Sequence, residues 1–558
     1  MAWYDEAVFY HIYPLGLCGA PKENSYGEPV HRLNSLLPWI DHIKEIGCNA
    51  IYIGPLFESV GHGYETTDYK KLDSRLGTNE DLTQFVAQCH DKGIKVILDG
   101  VFNHTGRDFF AFKDIQKNRE NSPYKDWYCN VNFGGNNEYN DGFSYENWGG
   151  YNLLVKLNQH NPAVRDYICD VIRFWVSEFD IDGIRLDAAD VLDFEYMKAL
   201  RHVANEVKPD FWLMGEVIHG DYTRWVNEGT LHSVTNYHLH KALYSGHNDH
   251  NFFEIAHTVK RLYEMGGNNP QGLKLYNFVD NHDVERIYTK LTNKAHFIPV
   301  HILLYTLPGI PSIYYGSEFG IEGKKESYSD DSLRPALNLD DYKDAIDTNQ
   351  CTKLIAALGT VRQQTKVLSY GDYKELVLTN RQYAFSRNLD GQTAVITVNN
   401  DDSDFVMTVP ASGAQIFIGA LSGEKVSAAN GTIAVNVRAN SGEIWVPYNE
   451  DISYPDNGET ITSFVEPKTE PTQESTPEKT EETAETPVNT TENAVGNTPE
   501  KAADIECDPS FEAGKIAGLQ EAILAIMECN GPVTEQMKND VYNQTHHQSL
   551  INWVKSFR

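Results

Sequence analysis

The chain has 558 residues, with 79 Asp and Glu against 47 Lys and Arg, and a formal net charge of −32. Hydrophobic residues make up 41% and aromatics 11%, enough apolar surface for a full-sized core, which excludes wholesale disorder. The acidic balance argues against nucleic acid and against an anionic membrane surface, because a phosphate-tracking face needs an excess of Lys and Arg.

In chain order, the first candidate strands are Val8–Tyr13 and Ala50–Gly54. Thr78, with Asp81 three residues on, predicts a capped helix that buries Leu82, Phe85, Val86 and Cys89 and stops at Gly93. Ile94–Asp99 follows as a continuous apolar run, the pattern of a strand covered on both faces. Between it and the next helix, which opens at Asn161-Pro162, lie roughly sixty residues rich in Asn, Gly, Tyr and Trp. A structureless loop of that length is improbable, so a small inserted subdomain over 105–160 is expected. The helix from Asn161 buries Val164, Ile168, Val171, Ile172 and Trp175. The remaining candidate strands are Ile181–Asp187, Phe211–Glu216, Ser233–Asn236, Leu275–Asp280 and Ser312–Tyr315.

Strands alternating with helices predict an α/β fold, a (β/α)₈ TIM barrel, built from 1–104 and 161–362. The apolar run Phe297–Tyr315 carries His301 and three prolines and reads as a buried helix leading into the last strand, not as a membrane span. From about Val367 the pattern changes to alternation, as in Thr393-Ala-Val-Ile-Thr-Val398 and Glu443-Ile-Trp-Val446, so 363–450 is expected to be an all-β sandwich. Residues 455–506 hold 13 acidic and 3 basic residues, six prolines and a single aromatic. A disordered linker over 451–506 follows from that composition. A small helical module over 507–558, with Ile516, Leu519, Ile523 and Ile526 on one face, closes the chain and is expected to bind a protein partner or to self-associate.

Eight cysteines are scattered without a CxxC pair or a zinc-ligand spacing, which predicts free thiols and no metal site. Met1 leads directly into Trp3-Tyr4-Asp5-Glu6, with neither a basic nor an apolar leader segment, so no signal peptide is predicted and a cytoplasmic location is expected.

Barrels of this kind place their chemistry at the C-terminal ends of the strands. Four strand ends carry acidic residues: Asp99-Gly-Val-Phe-Asn103-His104, Gly183-Ile-Arg185-Leu-Asp187, Gly215-Glu216-Val217 and Asp280-Asn-His282-Asp283. One such end is commonly a helix cap or a surface charge, but four converging on one mouth point to carboxylate chemistry.

In these motifs the sequence resembles the α-amylase superfamily, glycoside hydrolase family 13. Gly54-Pro-Leu-Phe-Glu-Ser59 and Gly309-Ile-Pro-Ser-Ile-Tyr-Tyr-Gly316 resemble two further family motifs, and the likeness spans about 1–450. The resemblance implies that Asp187 is the nucleophile, Glu216 the general acid and base, and Asp283 the stabiliser of the transition state. It also implies that Tyr64 stacks under the sugar, that His104 and His282 hold its hydroxyls, and that Asp330 and Arg334 clamp the substrate. Arg185 is grouped with these substrate contacts and, two residues from Asp187 on one strand, is expected to keep that carboxylate ionised. Asp99 and Asn103 are expected to brace the site.

Val155-Lys-Leu-Asn158 resembles the Met-Pro-Lys-Leu-Asn motif of the neopullulanase/cyclomaltodextrinase group, although the barrel begins at residue 8 without the N-terminal domain usual there. The implied activity is retaining hydrolysis of α-1,4-glucosidic bonds in maltooligosaccharides or other α-glucans. The alternatives are a 4-α-glucanotransferase using the same glycosyl-enzyme, and a non-catalytic carbohydrate-binding or scaffold relative. No cofactor is required. A structural calcium, held in many relatives by the counterpart of Asn103 and by a Lys-His pair after the nucleophile, is disfavoured because Asp190 and Val191 stand at the pair's positions. Thr/Pro-rich spacers are common in exported bacterial glycosidases, which leaves export as the alternative location.

Overall fold

A computed structural model of the chain describes residues 2–267, 269, 272–455 and 461–463. The predicted helices of 507–558, Cys507, Cys529 and most of the predicted linker lie outside the described residues.

Eight parallel strands, β1 (Phe9–Ile12), β2 (Ala50–Ile53), β3 (Lys95–Gly100), β4 (Gly183–Leu186), β5 (Trp212–Gly215), β6 (Ser233–Val234), β7 (Tyr276–Asn277) and β8 (Ile310–Tyr314), run in the order β6-β5-β4-β3-β2-β1-β8-β7. A parallel bridge from Thr235 to Tyr276 joins the two edge strands, so the sheet closes on itself. All eight strands lie within the predicted segments, apart from small shifts at their ends. The helix Asn79–Asp91 starts at the predicted capping box of Thr78 and Asp81 and gives way to Gly93 at φ 72°, in the left-handed region. The helix Pro162–Phe179 is capped by Asn161, whose side chain accepts from the Ala163 N–H at 2.9 Å.

The period-2 pleat decides what fills the barrel. At the bottom, Phe9, Ala50, Ile97, Trp212, Met214 and Ile310 form a closed cluster, with Phe9 stacked on Trp212 at 5.1 Å between ring centroids. The barrel is therefore a packed core, not a pore. One inward step further along the same strands come His11, Tyr52, Asp99 and Arg185. The register pairs His11 with Tyr52 and Asp99 with Arg185, so these polar groups form one layer above the apolar plug. A side chain at Gly54 would collide with Asp99 Cβ at 2.3 Å, which explains a glycine at the end of β2.

The insertion after β3 holds the helix Phe110–Asn118 and a three-stranded antiparallel sheet whose outer hairpin is Asn147–Trp148 paired with Tyr151–Lys156. Beyond the barrel, the β-domain contains eight strands between Lys374 and Pro447, arranged as a six-stranded sheet and a separate antiparallel pair. Two corrections to the sequence reading arise here. Lys366–Tyr370, inside the segment expected to be all-β, is a short helix. Three further strands, Phe405–Pro410, Ile416–Gly419 and Lys425–Ser427, have no counterpart among the predicted ones. The first was masked because Phe405 and Val406 point outward, 40% and 66% exposed, so its apolar residues do not alternate with polar ones.

Of the segment expected to be a linker, 451–455 and 461–463 are among the described residues. Tyr454 and Ile461 pack against the core, and Arg438 Nη1 donates to Ser463 Oγ at 2.9 Å. Arg387 ties the β-domain to the barrel: its buried guanidinium donates to the Thr306 carbonyl at 2.7 Å, and to those of Gly371 and Asp372 at 2.9 and 2.7 Å. The six cysteines among the described residues are free. No helix among the described residues is long and apolar enough to cross a membrane.

Buried histidines set an expected pH dependence. Burial lowers His240 and His247 to about 3, and His104, His296 and His301 to about 4. Their unfolded value is about 6.5, so between that pH and about 4 the unfolded chain binds protons that the fold refuses. The stability these groups contribute is complete above about pH 6.5 and is lost as pH falls. Urea midpoints are expected to drop steeply from pH 7 to pH 5; a flat profile would show that these histidines are not held neutral.

Candidate active site

Above the polar layer, one cavity of about 570 Å³ opens at the C-terminal mouth. Asp187, Glu216 and Asp283 line it, as do Tyr64, His104, Asp330 and Arg334. Arg185, His282, Asp99 and Asn103 lie beneath or behind that surface. A larger groove of about 810 Å³, beside the helix Gln350–Gln364 and the β-domain, has Glu45 as its only carboxylate and no acidic pair.

Arg185 organises the floor. Its Nη1 donates to Asp99 Oδ1 and to Asp187 Oδ1, both at 2.9 Å, and its Nη2 pairs with Glu216 Oε2 at 2.9 Å. The Ala188 N–H donates to the same Glu216 oxygen at 3.1 Å, from a residue held at φ 46° in the left-handed region. Arg185 is buried beneath these carboxylates and does not itself line the cavity.

The protonation expected of Asp187 also needs correction. Burial pushes its carboxyl well above the usual carboxylate range; Arg185 pulls it down, while Glu216 and Asp99 push it up. Burial likewise raises Glu216, against the pull of Arg185. One guanidinium shared with Asp99 does not offset the desolvation of Asp187 and Glu216. Both carboxyl groups of the Asp187–Glu216 pair therefore release their protons less readily than isolated carboxyls do.

Tyr64 Oη donates to Asp99 Oδ2 at 3.0 Å and lies 2.5 Å from His282 Nε2, with the two rings nearly parallel at 13°. The same His282 Nε2 lies 3.1 Å from Asp283 Oδ2. Burial and the nearby Arg334 keep His282 neutral. Arg334 Nη2 donates to Asp283 Oδ1 at 2.9 Å and to Asp330 Oδ2 at 3.1 Å, while its Nε holds the His282 carbonyl at 3.0 Å. Asp283 is thus clamped from two sides.

His104 Nε2 lies 3.1 Å from the Tyr64 carbonyl oxygen, and its Nδ1 lies 3.2 Å from Asn103 Nδ2. Asn103 Oδ1 accepts from Gln159 Nε2 at 3.0 Å. That oxygen is engaged by an amide, and among the described residues no group of three His, Cys, Asp or Glu is placed to hold a metal ion.

Sequence reasoning missed Tyr52, whose hydroxyl donates to Asp99 Oδ2 at 2.8 Å, although its inward position follows from the pleat of β2. It also missed Lys325, which donates to the Asp283 carbonyl at 2.6 Å, and the rim residues Trp148, Tyr151 and Ile218.

A closed barrel gathers carboxylates on one guanidinium at its C-terminal mouth. The α-amylase catalytic-domain family matches residues 23–367. Over 428 residues the chain is 31% identical to a cyclomaltodextrinase of Thermoanaerobacter pseudethanolicus, covering 73% of this chain and 72% of the relative. It is 30% identical over 469 residues to neopullulanase 2 of Thermoactinomyces vulgaris, covering 79% and 78% respectively. A solved cyclomaltodextrinase superposes with a TM-score of 0.69 at 26% identity, covering 79% of this chain and 78% of its own. The chain belongs to the α-amylase family and is a glycosidase of that type.

Proposed function

We propose that the protein is a retaining hydrolase that cleaves α-1,4-glucosidic bonds of maltooligosaccharides and related α-glucans by double displacement. The observation that carries this reading is the Asp187–Glu216 pair, two carboxyl groups held by one guanidinium at the floor of an open cleft. Retaining chemistry needs one protonated and one ionised carboxyl, about 5–5.5 Å apart in such enzymes, and a proton shared by the pair supplies both states.

In the first step Asp187 attacks the anomeric carbon while Glu216 gives its proton to the departing glycosidic oxygen, leaving a glycosyl-enzyme. In the second, water attacks that carbon and passes a proton to Glu216 as the Asp187 carboxylate leaves. Asp283, fixed by Arg334 and His282, faces the positive charge that develops in between. Tyr64 offers the sugar a flat face, and His104, Asp330 and Arg334 offer polar groups. The relatives' names, cyclomaltodextrinase, neopullulanase and intracellular maltogenic amylase, support an α-glucan substrate and a cytoplasmic location. We assign 105–160 to a cleft-lining insertion and 363–450 to a β-domain without chemistry, and we assign no metal to the site.

The test is a panel of maltodextrins, cyclodextrins, pullulan and starch, run with and without EDTA, with the product anomer read by NMR. Shorter α-anomeric products, unaffected by EDTA, are expected. A β-anomeric product would overturn retention, and products longer than the substrate would move the assignment to a glucanotransferase.

A further inference from the structure

The outer hairpin of the insertion turns through Gly149 and Gly150, at φ 66° and 84°. Two successive positive φ values identify a two-residue hairpin turn of the kind that fits the twist of its strands. The residues that flank this turn, Trp148 and Tyr151, are direct cross-strand partners, and such partners project to the same face of a hairpin. The turn is braced from within: Asn147 Oδ1 accepts from the Gly150 N–H at 3.0 Å, and Asn147 Nδ2 donates to Asn152 Oδ1 at 2.8 Å. Tyr145 Oη, from the neighbouring segment, donates to the Asn152 carbonyl at 2.8 Å.

This braced turn leaves two large rings largely in water. Trp148 is 38% exposed and Tyr151 66%, yet both line the catalytic cavity. Trp148 lies over His104 at 5.9 Å between centroids, and His104 in turn contacts the Tyr64 backbone, so aromatic surface continues from the cleft floor to its rim. Ala188, Ile218, Val284 and Tyr237 also line the cavity. Exposed aromatic faces held rigidly at a cleft contribute little to folding and suit the apolar faces of sugar rings.

We propose that Trp148 and Tyr151 form a sugar-stacking platform at the rim that binds glucose units beyond the one being cleaved, and so sets a preference for longer α-glucans. This inference rests on the hydrolase reading. The platform adds binding energy only for a chain long enough to reach it, and leaves the bond-breaking groups untouched.

The test compares Trp148→Ala, Tyr151→Ala and the conservative Trp148→Phe and Tyr151→Phe with wild type on maltotriose and on maltohexaose. Each alanine variant is expected to lose about tenfold in kcat/KM on maltohexaose, mostly through KM, and less than about twofold on maltotriose. The phenylalanine variants are expected to recover most of the loss. Circular dichroism and urea midpoints report whether the variants fold as wild type does. Equal losses on both substrates, or none on either, would overturn the platform while leaving the hydrolase reading intact. Wild-type enzyme inactive on both substrates would instead overturn the hydrolase reading. Tyrosine and tryptophan fluorescence of an Asp187→Asn background, titrated with maltohexaose, reads the same binding without turnover.

Discussion

Asp187→Asn is expected to lower kcat on maltooligosaccharides by about 10³-fold or more, since an amide cannot form the glycosyl-enzyme. The fold should survive. Asparagine keeps the shape and one acceptor oxygen, so Arg185 Nη1 still finds a partner where Asp187 Oδ1 stood at 2.9 Å. Removing one of the three carboxylates around that guanidinium also relieves their mutual repulsion, so the urea midpoint at pH 7 should be unchanged or slightly raised. A second signature is expected in titration: with the aspartate gone, Glu216 has one charged neighbour fewer and should ionise more readily. Undiminished turnover in this variant would remove Asp187 from the mechanism, whatever its stability.

Arg185→Met is expected to be the most damaging single change to the fold at the site. Methionine fills much of the space but leaves Asp99, Asp187 and Glu216 without their shared cation, in a layer where Arg185 and Asp99 are nearly inaccessible to solvent. Removing one partner of a buried ionic cluster typically costs about 3–5 kcal/mol. The pH dependence identifies the cause. Without the guanidinium Asp187 and Glu216 take up protons more readily in the folded state, so the difference from wild type should be largest near pH 7 and should shrink as pH falls and they become neutral. Paired urea unfolding curves at pH 7 and pH 5.5 measure it. A pH-independent difference would mean that the loss is one of packing rather than of charge. Arg185→Lys is expected to fall between, because a single ammonium cannot reproduce the fork that reaches Asp187 and Glu216 through different nitrogens.

The barrel was readable in the sequence because its signals are local. Apolar runs bounded by turns marked most of the strands from Phe9 to Tyr314, and the capping residues Thr78 and Asn161 marked helix starts. Acidic residues at four strand ends were visible for the same reason: the pleat and the strand direction place them at one mouth without knowledge of their neighbours. The strand Phe405–Pro410 escaped because its outward residues are apolar, so the pattern that betrays a half-buried strand was absent. The facing of Trp148 and Tyr151 escaped because a run of Asn, Gly, Tyr and Trp carries no period, and only the register of the hairpin pairs the two rings.

Charge draws the line between the two kinds of knowledge. Of the net −32, the excess of 13 acidic over 3 basic residues in 455–506 contributes −10, and the rest is spread through the remaining chain. The sequence by itself determined the class of fold, the carboxylates available at its mouth and the family they belong to, since each depends on neighbours in the chain. The tertiary structure alone decided that Arg185 is divided among Asp99, Asp187 and Glu216, and that burial raises the carboxyls of Asp187 and Glu216. Burial and the convergence of charges from β3, β4 and β5 are properties of the assembled barrel, and no one of these strands carries them.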